Sequence, residues 1–155
     1  MNTDKKLKVL FLCTGNSCRS QMAEGWVRAL KGDLIEVYSA GVEVHGLNSA
    51  AIKVMAEVGV DISAQTSKHV DAFRGRDFDA VITVCDNARE TCPFFPGAKK
   101  ILHVGFADPP TKAKELAEQG AGEEEQLDCY RLVRDEIRTF VETLPEHLFE
   151  MVNAD

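Results

Sequence analysis

The sequence predicts an α/β fold, a three-layer sandwich around a four-stranded parallel sheet. Three observations predict it. The runs LKVLFLC (7–13), LIEVYSAG (34–41), DAVITVC (79–85) and KKILHVGF (99–106) are short and largely apolar, as strands buried on both faces are. Amphipathic helical patterns lie between and after them, so the strands are joined by right-handed crossovers. Cys13, Cys85 and Asp108 fall at or just past the ends of these runs, where open parallel sheets bind ligands.

The elements follow in order. Behind the first strand, Met22, Trp26, Ala29 and Leu30 fall at i, i+4, i+7 and i+8, one face of a helix, with Gly32 as its stop. Asn48 or Ser49 caps a second helix that turns Ala51, Val54, Met55 and Val58 inward and closes at Gly59. SKHVDAFRG (67–75) reads as a short third helix. Residues 111–126, TKAKELAEQGAGEEEQ, read as a partly helical surface insertion with a solvated acidic run at Glu123, Glu124 and Glu125. The last helix carries Tyr130, Val133, Ile137, Val141, Leu144 and Leu148 on one face, with Pro145 as a kink or break.

A chain of 155 residues is expected to form one domain, 1–155. Its longest apolar run is too short to span a bilayer, and MNTDKK leads straight into a strand without the pattern of a secretory signal. A cytoplasmic monomer is expected. The net charge of -7 argues against a nucleic-acid binder but not against an anionic substrate held by a local pocket field. The cysteines, Cys13, Cys18, Cys85, Cys92 and Cys129, are odd in number and contain no CxxC pair. A disulfide framework and a structural zinc site are both poorly served, which leaves catalytic or redox thiols. The four histidines show no close ligand spacing and read as ordinary polar residues.

The stretch CTGNSCRS at 13–20 carries the chemistry. Its first cysteine ends a strand and its last residues open a helix. The helix N-terminus and successive N–H groups of Thr14, Gly15, Asn16, Ser17, Cys18, Arg19 and Ser20 form a nest for an anion. Gly15 supplies a positive φ or a close backbone approach. Arg19 forks donors onto a tetrahedral oxyanion, and Ser20 hydrogen-bonds the thiolate and caps the helix. A packed core cysteine is the bland alternative for Cys13 taken alone. The Cys-x5-Arg-Ser spacing between a strand and a helix favours a sulfur nucleophile under a phosphate-like group.

CTGNSCRSQMAEG (13–25) resembles the active-site loop of the low-molecular-weight protein tyrosine phosphatase fold. It is more closely similar to the thioredoxin-coupled arsenate reductases built on that fold. YSAG (38–41), TVCDNARETCP (83–93), Asp108-Pro109 and RLVRDEI (131–137) extend the likeness over most of residues 7 to 108 and beyond. The resemblance implies that Cys13 attacks arsenic while Arg19 clamps the oxyanion and Asp108 protonates the departing oxygen. Cys85 then attacks Cys13 as arsenite leaves, and Cys92 attacks Cys85. Thioredoxin reduces the resulting Cys85–Cys92 disulfide, and no tightly bound cofactor is needed. Seven helical steps would separate those two Cα atoms by about 10 Å, against the roughly 4.4–6.8 Å of a disulfide. The segment is therefore expected to be helical when reduced and looped when oxidised; Phe94 and Phe95 read as core or rim residues, with a docking face for thioredoxin as the alternative. Cys18 is expected to serve loop geometry, and Cys129 has no assigned role.

The resemblance also brings a phosphatase alternative using Cys13, Arg19 and Asp108. The family's phosphatases carry a tyrosine after the Asp-Pro pair, whereas Pro110 stands here. Some family members hold potassium behind the loop, at positions matched by Asn16, Glu24, Ser39 and Thr66. Lys68 stands where the family has a carboxylate. It is expected to replace the ion by pairing with Glu24, while Asn16 bonds backbone and Ser39.

Overall fold

The computed structural model describes residues 6–84 and 97–148. The expectations placed on Cys85, Cys92, Phe94 and Phe95 fall outside the described residues. Four parallel strands form one sheet: β1 (Leu7–Cys13), β2 (Ile35–Gly41), β3 (Ala80–Thr83) and β4 (Ile101–His103), in the order β2-β1-β3-β4. Among the described residues four α-helices accompany it: α1 (Arg19–Lys31), α2 (Ser49–Glu57), α3 (Pro109–Glu118) and α4 (Glu123–Glu142). From β1 the chain moves to one side for β2 and then to the other for β3. The crevice of this open sheet therefore lies at the carboxyl end of β1, where Cys13 stands.

Alternation along β1 separates two cores. Val9, Phe11 and Cys13 face the helices and pack with Met22, Trp26, Val54, Met55, Ile137 and Val141. Leu10 and Leu12 face the other way, against Ala40, Val70, Phe73, Phe78 and Val81. On that second face a single 3-10 turn, Val70–Phe73, occupies the stretch expected as a short helix. Gly75 follows it with a φ of +82°, which ends helical continuation. Arg76 lies over the Tyr38 and Phe73 rings, which meet Phe78 edge-on.

Several predicted details shift. Ala29 and Leu30 are exposed, while everything from Arg19 to Val27 is buried. The first half of α1 is walled by the sheet, the loop before it and α4, whereas its last turn projects beyond them. Val58 is likewise exposed, because α2 ends at Glu57 and Val58 is already its C-cap. The third and fourth strands are shorter than the apolar runs that announced them, and β4 is a largely exposed edge strand. Residues 111–126 are divided among α3, a turn at 119–122 and the first turn of α4. Glu123, Glu124 and Glu125 open α4, where its dipole favours negative charge. That helix ends at Glu142, ahead of Pro145.

Among the described residues no helix is long and apolar enough to cross a membrane.

Candidate active site

The loop between β1 and α1 is held from outside by its carbonyl oxygens. Glu43 N–H donates to the Thr14 carbonyl (2.9 Å), His45 N–H to Gly15 (3.1 Å) and Asn48 N–H to Ser17 (3.0 Å). Ser67 Oγ donates to the Gly15 carbonyl (3.2 Å), and Gln21 Nε2 to that of Asn16 (3.0 Å). In a trans peptide the carbonyl and the following N–H point opposite ways. With these four carbonyls turned outward, the N–H groups of Gly15, Asn16, Ser17 and Cys18 face inward as a nest of donors. Arg19, buried on the first turn of α1, donates from one terminal nitrogen to the Phe106 carbonyl (3.1 Å). Its other terminal nitrogen stands 3.6 Å from Asp108 Oδ1.

Asn16 is the hinge of the loop, with a φ of +47°. Of the two reasons expected for Gly15, the positive φ belongs to Asn16, while the close approach holds: a Cβ at Gly15 would lie 2.4 Å from His45 Nδ1. Gly41, at the end of β2, is required for the same reason, since a Cβ would come within 2.7 Å of both Asn16 N and Thr14 O.

A directional hydrogen-bond chain ends on the sulfur. Lys68 N–H donates to Asn16 Oδ1 (2.7 Å), which turns Asn16 Nδ2 toward Ser20 Oγ (2.8 Å). Ser20 accepts there, and its hydroxyl lies 2.9 Å from Cys13 Sγ, placed to donate to the sulfur when Cys13 is a thiolate. Ser20 is inside α1 and does not cap it; Cys18 occupies the N-cap position, with no side-chain cap bond. Burial first, then Cys13 and Asp108, push the Cys18 thiol far above its ordinary value, against the pull of Arg19. Burial thus disfavours the Cys18 thiolate, the form in which a cysteine attacks. Asp108 is the N-cap residue of α3 and receives a hydrogen bond from Thr111 Oγ1 at Oδ2 (2.7 Å).

Behind the loop the expected pairings change. Ser39 Oγ donates to Glu24 Oε1 (2.6 Å) rather than to Asn16, and Glu24 pairs with Arg28 (2.7 Å) rather than with Lys68. The Lys68 ammonium bonds the Thr66 carbonyl instead. Burial lowers its pKa while the Glu24 charge raises it. A cation at this place would find Asn16 Oδ1 bonded to an amide, Glu24 neutralised by Arg28, and an ammonium on the Thr66 oxygen. This set of donors does not fit potassium.

The cradle opens into a cleft of about 750 Å³, lined among others by Cys13, Arg19, Glu43, His45, Asn48 and Asp108. His45, read from sequence as an ordinary histidine, packs on Gly15 and hydrogen-bonds Glu43 through Nε2 (2.7 Å). Gln21, Gln65, Ser67 and Glu43 were missed as well. Cys129 sits partly exposed on α4, and the cleft lining does not include it.

A family model described as low molecular weight phosphotyrosine protein phosphatase matches residues 8–154. An arsenate reductase of Bacillus subtilis is 48% identical over 139 residues, covering 87% of this chain and 95% of that protein. One from Halalkalibacterium halodurans is 47% identical over 142 residues, covering 89% and 97%. A solved structure described as an arsenate reductase in the phosphate binding state superimposes with a TM-score of 0.72 at 35% identity, covering 89% of this chain and 95% of that one.

Proposed function

The chain belongs to the low molecular weight phosphotyrosine protein phosphatase family, and from that premise we propose that it reduces arsenate to arsenite, using three of its own cysteines and thioredoxin as the source of electrons. The observation that carries the proposal is the anchoring of four consecutive loop carbonyls, Thr14 to Ser17, which leaves the N–H groups that follow them available to an anion beside Cys13. Such a cradle suits a tetrahedral oxyanion. The arsenate reductases at 47% and 48% identity favour arsenate as that oxyanion.

The reaction balances with the residues the sequence supplies. Cys13 Sγ attacks arsenic and an oxygen departs as water, its proton given by Asp108. Arg19 and the N–H nest hold the remaining oxygens. Cys85 then attacks Cys13 Sγ. The sulfur–arsenic bond breaks with its electron pair remaining on arsenic, which leaves as arsenite. Two thiols have been oxidised to one disulfide, and arsenic has gained two electrons. Cys92 next displaces Cys13 from Cys85 by thiol–disulfide exchange. Thioredoxin returns the Cys85–Cys92 disulfide to two thiols. Cys18 stays out of this sequence because its thiol remains protonated.

Replacing Cys92 with Ser tests the relay. With arsenate, thioredoxin and its reductase, the variant releases about one arsenite per chain and then stops, while the parent continues. Sustained turnover by Cys92→Ser would contradict the third step.

The family description favours a second activity, hydrolysis of phosphate monoesters at the same loop. It needs only Cys13, Arg19 and Asp108. It is expected to survive in Cys92→Ser, which separates the two chemistries in one variant.

A further inference from the structure

Beneath the cradle, a chain of two glutamines runs into Asn16, and the reaction as derived gives neither of them a role. Gln21 is wholly buried in the first turn of α1. Its Nε2 lies 3.0 Å from the Asn16 carbonyl oxygen, 3.1 Å from Asn16 Oδ1 and 2.9 Å from the Thr66 carbonyl oxygen. Two of these acceptors are backbone oxygens, which only accept. The amide nitrogen must face them, and Oε1 faces away. On that side Gln65 Nε2 donates to Gln21 Oε1 (2.8 Å) and to the Gln21 carbonyl (3.0 Å). Gln65 is half-buried and borders a different cleft, shared with Glu24, Arg28, Tyr38 and Lys68.

We propose that Gln21 and Gln65 are positioning residues for oxyanion binding, holding Asn16 in its left-handed conformation and thereby aiming the Ser17 N–H into the cradle. Asn16 is the one non-glycine among the described residues with a positive φ, a conformation uncommon outside glycine, which Asn enters more readily than most when local hydrogen bonds hold it. Gln21 grips that residue twice, at its backbone oxygen and at its side-chain oxygen. The first grip fixes the plane of the Asn16–Ser17 peptide, hence the direction of the Ser17 N–H. The second works with Lys68 N–H to keep Asn16 Nδ2 on Ser20, whose hydroxyl lies beside Cys13 Sγ. Gln65 reinforces the facing of the Gln21 amide that the two backbone oxygens impose. Its Nε2 donates to Oε1, and a reversed Gln21 amide would meet it donor to donor.

This inference rests on the loop being an oxyanion cradle, and the test separates the two. Inorganic phosphate, which undergoes no redox step, is titrated calorimetrically into the reduced, full-length protein. The same is done with Gln65→Met, Gln21→Met and Ile137→Val, the last a core change in α4 that lowers stability away from the loop. Loss of one or two hydrogen bonds predicts that Gln65→Met weakens phosphate binding about three- to tenfold. Arsenate KM should rise by the same factor. Ile137→Val lowers the melting temperature without changing either. Gln21→Met has the larger effect if it folds; if it does not, Gln65→Met decides alone. Unchanged phosphate affinity in Gln65→Met would overturn the proposal, as would equal weakening in Ile137→Val. Failure of the parent protein to bind phosphate would instead overturn the cradle itself.

Discussion

Asn16, Ser20 and Cys13 form a hydrogen-bonded chain that begins at the Lys68 N–H and in which Ser20 becomes the donor once Cys13 is a thiolate. Removing the last donor has a calculable effect. A hydrogen bond to a charged group contributes about 1.5–3 kcal/mol, so Ser20→Ala should slow single-turnover arsenite formation roughly ten- to a hundredfold. Stopped-flow or quenched-flow kinetics at saturating arsenate measure it, and a rate within twofold of the parent would contradict the chain's direction. Gly15 gives a second prediction at this scale. Gly15→Ala places a methyl 2.4 Å from His45 Nδ1 and should weaken phosphate binding at least tenfold, while the double variant with His45→Ala recovers most of the loss. Failure to recover would mean that the glycine serves backbone conformation instead. Cys13, Arg19, Ser20 and Asp108 were legible because their spacing from a strand end or a helix start carries the information. Gly41, His45, Gln65 and Ser67 were not, since they reach the loop only after the chain has folded back across it. The YSAG stretch was noticed as a match, but its reason, a glycine against the Thr14 and Asn16 backbone, needed the register of β2 on β1.

Among the elements, α2 starts at one of its two expected caps, Asn48, and ends one residue before the Val58 that was expected inside. Asn48 Oδ1 accepts from Ala51 N–H (3.0 Å), and the same side chain donates to Tyr130 Oη (3.3 Å) on α4. Asn48→Ala should cost about 1 kcal/mol, or roughly 2–4 °C of melting temperature for a chain of this size. Calorimetry tests this, and no shift would contradict the cap's contribution. The join of α2 to α4 is also ionic. Glu57 accepts from Arg131 at 2.8 and 3.0 Å and from Arg134 at 3.1 Å, and Arg131 reaches Glu124 and Asp128. The hydrogen bonds from Arg131 hold the Glu57 carboxyl below its ordinary value. A depressed folded-state pKa stabilises the fold above the unfolded value, and that contribution is lost as pH falls through the folded value. The difference in urea midpoint between the parent and Glu57→Gln should therefore be present at pH 7 and shrink below about pH 4. A difference that grows with acid would contradict the sign. The sequence marked RLVRDEI only as part of the family likeness and 123–125 only as a solvated acidic run, so their pairing with Glu57 was not anticipated. Helical charge spacing does not reveal which neighbouring helix the charges face.

For the whole molecule, the order β2-β1-β3-β4 puts the ends of β1 and β3 side by side. Cys13 ends β1, and Cys85 follows two residues after β3 in the chain. The alternation of apolar runs was enough to predict a parallel sheet. The unequal covering of its faces was not, because helices and a 3-10 turn leave similar apolar patterns over four or five residues. Since the cradle recognises tetrahedral shape and charge, phosphate should raise the apparent KM for arsenate without changing kcat, and a non-competitive pattern would place arsenate elsewhere. The most direct measurement is a single turnover: fully reduced protein, excess arsenate, no external reductant, with arsenite quantified and disulfides mapped by mass spectrometry. The account predicts one arsenite per chain and a Cys85–Cys92 disulfide, with Cys13 returned to its thiol. No arsenite, with every thiol intact, would contradict it.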